Sequence, residues 1–331
     1  MASPIRILIL SLFIVAGAHA QQATGYYTGT IGTLPITMTL RIGETTSGTY
    51  MYVSKGLPIV LEGVRRGEEL VLTETDPDNG RVSGTFTVRA AAPYAAITGT
   101  WRDAGGKRSL PITLARVAVM RERVNAQEDA YHFSYEYPAF DATVVPAAAA
   151  LADTLRAWCE PFLTEFLPED EEVERLREEG IGGYEGSITC QVHYVSPTIV
   201  SMMLHVYGFT GGAHGWVGYR PMTVDVSRSA VRHVGLEEFF RRGSAWRETL
   251  SKMCIADLRR QEAQWVLDGE LTEKDELLGV FAVSPAALHF VYAPYVAGSW
   301  AEGTYTVSIP WKKVEALLDP AGPARLVRGT K

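Results

Sequence analysis

Short alternating segments of apolar and polar residues fill positions 21–117. Met38, Leu40 and Ile42 alternate with threonine and arginine, and a similar alternation recurs over 110–114. This period of two is typical of a half-buried β-strand. Glycine- and proline-containing turn signals separate the runs, and the segment shows no helical period. The pattern predicts seven or eight short antiparallel strands that form a small barrel or a curled sheet.

The interior of such a barrel is the first place to look for a ligand. A barrel of eight strands is just wide enough inside to be filled by side chains. We expect the interior to be filled by Met38, Leu40, Tyr50, Tyr52, Phe86 and Trp101. The alternative is a carrier that holds a small apolar ligand in the barrel. The segment has no histidine or cysteine, so a catalytic or transition-metal site within it is not expected.

A glycine followed by threonine and an apolar residue recurs through this β-rich segment. The glycines are Gly29, Gly48, Gly84 and Gly99. Glycine permits a bend or a bulge, and threonine favours the pleated conformation. We interpret each unit as the start of a strand.

A different pattern occupies residues 125–320. One helix is predicted to begin at Pro146 and a second long helix to cover 245–267, each with an apolar face. Apolar strands lie between and after these helices. We predict an α+β domain in which two long helices pack on an antiparallel sheet. Residues 118–124 are predicted to be a linker and residues 321–331 a C-terminal tail.

Residues 1–20 have the features of a secretory signal peptide. Arg6 precedes an apolar run, and the small residues around His19 predict cleavage after Ala20. Gln21 follows the cleavage point in place of a cysteine, so lipid attachment there is not expected. No later run reaches about 18 apolar residues, and we expect no transmembrane helix. The mature protein is predicted to be secreted or periplasmic.

The charge of the chain restricts its partners. The sequence has 31 Lys and Arg against 38 Asp and Glu, a formal net charge of −7. Cleavage of the signal peptide removes one Arg, and 30 − 38 gives −8 for the mature chain. An acidic chain lacks the positive surface that binds nucleic acid, so nucleic acid is not expected as a partner. A basic protein partner is electrostatically compatible with it.

Three cysteines are too few for a disulfide scaffold or a four-cysteine zinc site. Cys159, Cys190 and Cys254 allow at most one internal disulfide, and three buried free thiols are the alternative. His193 and His205 fall on neighbouring predicted strands, but the sequence does not fix their register. The histidine spacings match no zinc motif, and we expect neither a metal nor a cofactor.

Two segments stand out as candidate ligand-binding residues. In the first, a buried strand runs into a glycine-rich turn that displays one histidine: Gly211, Gly212, His214 and Gly215. Glycines let the backbone approach a partner closely, and histidine can carry a proton or donate to a ligand. The second segment is a loop with Tyr295, Trp300 and Glu302. Aromatic loop residues are effective binding anchors, and we expect the two segments to lie close together.

The same residues allow an enzymatic alternative. His214 with Glu302 or another acid could form an acid/base pair that cleaves a cell-wall polymer. The sequence lacks the nucleophile motif of α/β-hydrolases, and no catalytic residue is assigned.

The motifs FTGGAHG and LHFVYAPYVAGSWAEGTYTVSIPWKKVEALL, about eighty residues apart, carry a resemblance over residues 125–320. This part of the chain resembles the extracellular lysozyme-binding domain of the anti-sigma factor RsiV. It is also similar to the N-terminal domain of the peptidoglycan deacetylase PdaC. The resemblance implies an α+β fold and binding to lysozyme rather than catalysis. We expect no membrane span, sigma-binding part or deacetylase module here, so the analogy indicates an exported cell-envelope binding module. Its expected partner is a lysozyme-like protein or peptidoglycan glycan, and its oligomeric state stays open.

Overall fold

The computed structural model describes residues 23–55, 58–75, 80–179 and 183–328. The predicted signal peptide, residues 1–20, lies outside these ranges. Among the helices of the described ranges, none is both long enough and apolar enough to cross a membrane.

The N-terminal part of the described chain is an eight-stranded antiparallel barrel, which confirms the prediction from the alternating pattern. Each strand pairs with the next along the chain, and the first strand closes the barrel by pairing with the eighth. The strands are β1 (Ala23–Ile31), β2 (Leu34–Ile42), β3 (Thr45–Tyr52), β4 (Ile59–Arg66), β5 (Glu69–Thr75), β6 (Val82–Arg89), β7 (Ala96–Asp103) and β8 (Ser109–Gln127).

Side chains fill the barrel interior as predicted. Five of the six expected residues are buried in one hydrophobic cluster: Met38, Leu40, Tyr50, Phe86 and Trp101. The sixth, Tyr52, is partly buried and packs against the same cluster. The filled interior gives no support to a carrier that holds its ligand inside the barrel.

One carboxyl group is buried among these aromatic side chains. Glu74 on β5 accepts hydrogen bonds from Tyr50 Oη at 2.7 Å and from Trp101 Nε1 at 2.7 Å. Ser83 Oγ donates a third bond to Glu74 at 2.6 Å. Burial, reinforced by the Glu74 carboxyl, raises the pKa of Tyr50 and keeps its hydroxyl protonated as a donor. The network therefore ties strands β3, β5, β6 and β7 together inside the barrel.

The Gly-Thr units lie inside strands, so their interpretation as strand starts is wrong. A Cβ atom on Gly29 would lie 1.9 Å from the Thr113 carbonyl oxygen. A Cβ atom on Gly99 would lie 2.3 Å from the Thr87 carbonyl oxygen. Glycine is required here because neighbouring strands approach too closely for any side chain.

The predicted linker 118–124 is also wrong, because these residues belong to β8. The first part of β8 pairs with β1, and its second part pairs with β9 (Tyr131–Phe140) from Ala118↔Phe140 onward. One continuous strand therefore belongs to both the barrel and the following sheet, and its ladder hydrogen bonds hold the two together.

The second part of the sheet contains a parallel pair that the prediction did not include. β10 (Tyr184–Val195) runs parallel to β9. Parallel neighbours need a long crossover, and here the crossover contains the helices α1 (Ala148–Cys159), α2 (Phe162–Glu165) and α3 (Asp170–Glu179). Three further strands add antiparallel to one another: β11 (Ile199–Phe209), β12 (Trp216–Asp225) and β13 (Arg232–His233).

Apolar layers cover both faces of this sheet. On one face, Leu151 and Leu155 of α1 pack in a cluster with Met202 and Leu204 of β11. The other cluster joins Ile199 to a three-stranded sheet and its helices. Its elements are α4 (Trp246–Arg260), α5 (Gln264–Leu267), β14 (Phe281–Val283), β15 (Ala287–Tyr292), β16 (Tyr305–Pro310) and α6 (Trp311–Val314). The two long helices therefore lie on different sheets.

The predicted tail over 321–331 is corrected for the part that the structure describes. Helix α7 (Ala324–Val327) packs into the C-terminal cluster, with Ala324 and Val327 almost fully buried. Tyr194 Oη also donates to the Leu326 carbonyl oxygen at 2.9 Å. Burial of apolar surface holds this end of the chain on the domain.

All three cysteines are buried free thiols, which is the second of the two alternatives left open by the sequence. Burial raises the pKa of Cys159 to about 12 and of Cys254 to about 11, and raises the pKa of Cys190 well above its ordinary value. Thiols held protonated in this way are poor nucleophiles and poor metal ligands. Within the described ranges, no group of three metal-ligating side chains forms.

Candidate functional site

The hairpin between β11 and β12 presents the glycine–histidine turn. Gly211 and Gly212 have φ angles of 95° and 93°, in the left-handed region that favours glycine. A Cβ atom on Gly215 would lie 2.6 Å from the Gly208 carbonyl oxygen. These glycines therefore shape the turn that carries His214, and the side chain of His214 is exposed at its tip.

The loop between β15 and β16 presents the second predicted segment. Tyr295 adopts a φ of 67°, and its N–H donates to the Gly298 carbonyl oxygen at 2.8 Å. A short 3₁₀ turn, Trp300–Glu302, follows. The tight turn leaves Tyr295 52% exposed and Trp300 half-buried, so both rings are available at the surface.

Glu302 holds this loop in shape. Its carboxylate accepts hydrogen bonds from the Ser299 N–H at 2.6 Å and Ser299 Oγ at 2.8 Å. It also accepts from the Gln264 N–H at 3.0 Å and from Tyr305 Oη at 2.8 Å. The backbone bonds from Gln264 and Ser299 are the main reason that the pKa of Glu302 falls to about 2. Glu302 is therefore a capping carboxylate that stays ionised, and its hydrogen bonds go to its own loop and to neighbouring donors.

The two predicted segments meet as expected. The His214 and Trp300 rings stack with centroids 4.5 Å apart and planes 10° apart. His214 Nε2 lies 3.0 Å from Tyr295 Oη, and His214 Nδ1 lies 2.7 Å from the Gly215 carbonyl oxygen. A carbonyl only accepts, so Nδ1 carries the proton and Nε2 accepts from Tyr295. We call the exposed cluster of His214, Tyr295 and Trp300 the aromatic patch.

The sequence did not predict the contacts that Tyr219 makes beside the aromatic patch. Tyr219 Oη lies 3.0 Å from Thr304 Oγ1, which links β12 to the loop of Trp300. The Tyr219 ring lies 5.1 Å from the ring of His205, because the β11–β12 register places these residues opposite each other. The same sheet places His205 opposite Thr189 on β10, so His205 is not paired with His193. The sequence shows a histidine and a tyrosine on successive strands, but only the strand register shows that their side chains meet.

Replacing Glu302 with alanine is expected to loosen the loop. The Ser299 and Gln264 amides lose their acceptor, so hydrogen exchange over residues 293–305 should accelerate and the His214–Trp300 stack should be less ordered. Exchange measured by mass spectrometry checks this. Glu270→Ala, an exposed carboxylate nearby, is the control. Equal exchange in the two variants would contradict the capping role.

Two family models match consecutive parts of the chain. Residues 124–216 match the model described as deacetylase PdaC, and residues 237–312 match that of a protein of unknown function, DUF3298. The first match includes the glycine–histidine turn and the second includes the loop of Tyr295 and Trp300. No curated protein matches the chain.

Two solved structures are similar to part of the chain. A member of the DUF3298 family from Bacteroides fragilis NCTC 9343 is 15% identical over 65% of this chain and 96% of its own, with a TM-score of 0.44. A DUF3298 family protein from Pseudomonas aeruginosa PAO1 is 17% identical over 64% of this chain and 96% of its own, with a TM-score of 0.41.

Fold and family matches together define the class: a β-barrel followed by an α+β domain of the DUF3298/PdaC kind. The chain is therefore a DUF3298/PdaC-like domain protein. The predicted relation to the PdaC domain is confirmed, and the binding role of the aromatic patch stays a prediction.

Proposed function

We propose that this protein is an exported cell-envelope binding module whose aromatic patch binds a lysozyme-like protein. The observation that carries the proposal is the exposed stack of His214 on Trp300 at 4.5 Å, completed by the Tyr295 hydrogen bond. The apolar run and cleavage motif of residues 1–20 support export. The resemblance to the lysozyme-binding domain supports the choice of partner.

The patch has the properties of a binding hot spot. Tyrosine and tryptophan bring a large contact area at little cost in side-chain entropy. The Gly215 carbonyl and Tyr295 hydroxyl fix the His214 ring, and the Glu302 cap fixes the Trp300 turn. A surface arranged before binding loses less conformational entropy on association, so it binds more tightly for the same contact area.

Charge favours a basic protein as the occupant. The mature chain carries a formal charge of 30 − 38 = −8. Lysozymes are basic, so long-range attraction should accelerate their encounter with this protein. A cell-wall glycan can also stack on an indole ring, but it gains nothing from this net charge. Glycan binding is therefore kept as an outcome of the test.

Trp300→Ala is expected to weaken lysozyme binding about 30-fold, because hot-spot aromatic side chains contribute about 2 kcal/mol or more. Tyr295→Phe keeps the ring and removes only the hydrogen bond to His214, so its effect should be smaller. Val64→Ala removes an apolar side chain that is 42% exposed on barrel strand β4, and it should leave affinity unchanged. Calorimetric titration of the purified mature protein with lysozyme measures all three variants.

Two results would reject the proposal. One is the absence of wild-type binding at micromolar lysozyme. The other is the same affinity in Trp300→Ala as in Val64→Ala. Co-sedimentation with purified peptidoglycan provides the glycan arm: binding there that is lost in Trp300→Ala, without lysozyme binding, would assign the patch to glycan instead.

The geometry gives no support to the hydrolase alternative in which His214 and Glu302 form the acid/base pair. The Glu302 carboxylate is engaged in four hydrogen bonds within its own loop and beside it. A general acid must carry a proton near neutral pH, and the pKa of about 2 keeps Glu302 ionised. The hydrogen bonds of His214 go to Gly215 and Tyr295, which hold the ring in place.

A further inference from the structure

We propose that an aromatic cleft on the opposite face of the β11–β12 hairpin binds a saccharide that carries a carboxylate. The cleft has a volume of about 420 Å³. Its walls are formed by Trp158 of α1, Phe162 of α2, Phe166 directly after α2, and Trp216 of β12. We call it the Trp158–Trp216 cleft. It would bind its ligand whether or not the aromatic patch binds a protein.

The floor of the cleft is open because β12 places a glycine between two large residues. Trp216, Gly218 and Arg220 alternate along the strand and share one face of the sheet. A Cβ atom on Gly218 would have no neighbouring atom within 4 Å. Packing therefore does not require glycine here, and a side chain at this position would occupy the space that a ligand would use.

Arg220 supplies a cation that is free to bind an anion. Its guanidinium carbon lies 4.7 Å from the centroid of the Trp158 ring, in a cation–π contact. Within the part of the chain that the structure describes, Arg220 forms neither an ion pair nor a side-chain hydrogen bond. Its N–H groups therefore remain available, and their spacing matches the two oxygens of a carboxylate.

Saccharide chemistry fits the remaining walls better than an aromatic acid does. The C–H face of a pyranose ring packs against indole and phenyl rings such as Trp216 and Phe166, whose own centroids are 5.4 Å apart. Glu165 at the rim is exposed and can accept hydrogen bonds only from donors such as sugar hydroxyls. An aromatic acid has no such donors, so it would leave this acceptor unused. The cleft volume lies within the usual range for small-molecule sites, about 300–1,000 Å³.

The test uses the mature protein and four probes: glucuronic acid, N-acetylmuramic acid, uncharged glucose and benzoate. Calorimetry and saturation-transfer NMR measure binding. Glucuronic acid and N-acetylmuramic acid should bind, and comparing them distinguishes a uronic acid from a muramic acid as the source. Glucose and benzoate should each bind about tenfold more weakly. Glucose lacks the carboxylate that would pair with Arg220, and benzoate lacks the hydroxyl groups that would donate to Glu165.

Two variants locate the site. Arg220→Gln should weaken sugar-acid binding about tenfold and leave glucose unchanged, whereas the exposed control Arg228→Gln should change neither. Gly218→Val should abolish all sugar binding while the protein keeps its thermal stability, since valine favours strands and an added Cβ has no atom within 4 Å there.

Three outcomes would overturn the proposal: no sugar acid bound at millimolar concentration, benzoate bound as tightly as glucuronic acid, or unaltered sugar binding in both variants. Each outcome is compatible with intact lysozyme binding, so failure of the cleft is distinguishable from failure of the aromatic patch.

Discussion

Glu74→Leu is expected to lower the free energy of unfolding by about 3–5 kcal/mol, because it leaves buried donors without an acceptor. Glu74 is 5% exposed and accepts hydrogen bonds from Tyr50, Ser83 and Trp101. Each donor that loses its partner in an apolar interior costs about 1–3 kcal/mol, and some of that is recovered by relaxation of Ser83 towards solvent. Urea-induced unfolding, followed by circular dichroism, measures the change.

The control is a carboxylate on the same strand that faces solvent. Glu69→Leu removes a charge from β5 at an exposed position, and it should change stability by less than about 0.5 kcal/mol. Glu74→Gln keeps one acceptor oxygen and should lie between the two. If Glu74→Leu and Glu69→Leu unfold at the same urea concentration, the network is not what holds strands β3, β5, β6 and β7 together.

The alternation of apolar residues predicted the barrel, but it could not predict this network. A period of two places Glu74 on the same face as Leu72 and therefore inside the barrel. Nothing in the spacing indicates that Tyr50, Ser83 and Trp101 converge on it, because they lie on three other strands. Register and strand stagger decide that convergence, and a pattern within one strand carries neither.

The predicted linker and the predicted strand starts were wrong for a related reason. Residues 118–124 include the charged run 121–123, yet they continue β8 because both β1 and β9 supply backbone partners. Gly29 and Gly99 lie within strands, where they allow the close approach of a neighbouring strand. In both cases a tertiary contact overrides the local preference.

The contact between His214 and Trp300 was predicted, whereas the capping role of Glu302 was not. Two unusual loops 81 residues apart indicated a shared surface, and the structure brings them into contact. Glu302, two residues from Trp300, was one candidate acid for pairing with His214. The carboxylate instead caps its own 3₁₀ turn, since four donors are closer to it in the fold.

Lowering the pH from 8 to 5 is expected to reduce the free energy of unfolding by about 2–4 kcal/mol, because two neutral histidines are held between the sheets. The rings of His193 on β10 and His289 on β15 lie 5.2 Å apart. His289 is bonded to Ser284 at 2.8 Å and Ser308 at 2.9 Å, and His193 Nε2 has no partner among the described residues. Burial, with His289 beside it, lowers the pKa of His193 to about 3, and burial lowers the pKa of His289 to about 4.

The sign follows from which state binds protons. Unfolded histidines titrate at about 6.5, so below that pH the unfolded chain takes up protons that folded His193 and His289 refuse, and stability falls until the pH reaches their folded pKa values. Burial lowers the pKa of His205 as well, which adds a loss of the same sign. Stopping at pH 5 keeps most carboxylates ionised, so their protonation contributes little to the difference.

His193→Phe should remove about half of the loss, whereas the exposed control His233→Gln should leave it intact. A wild-type protein equally stable in urea at pH 8 and pH 5 would contradict the burial of two uncharged imidazoles, because that burial requires stability to fall in this window.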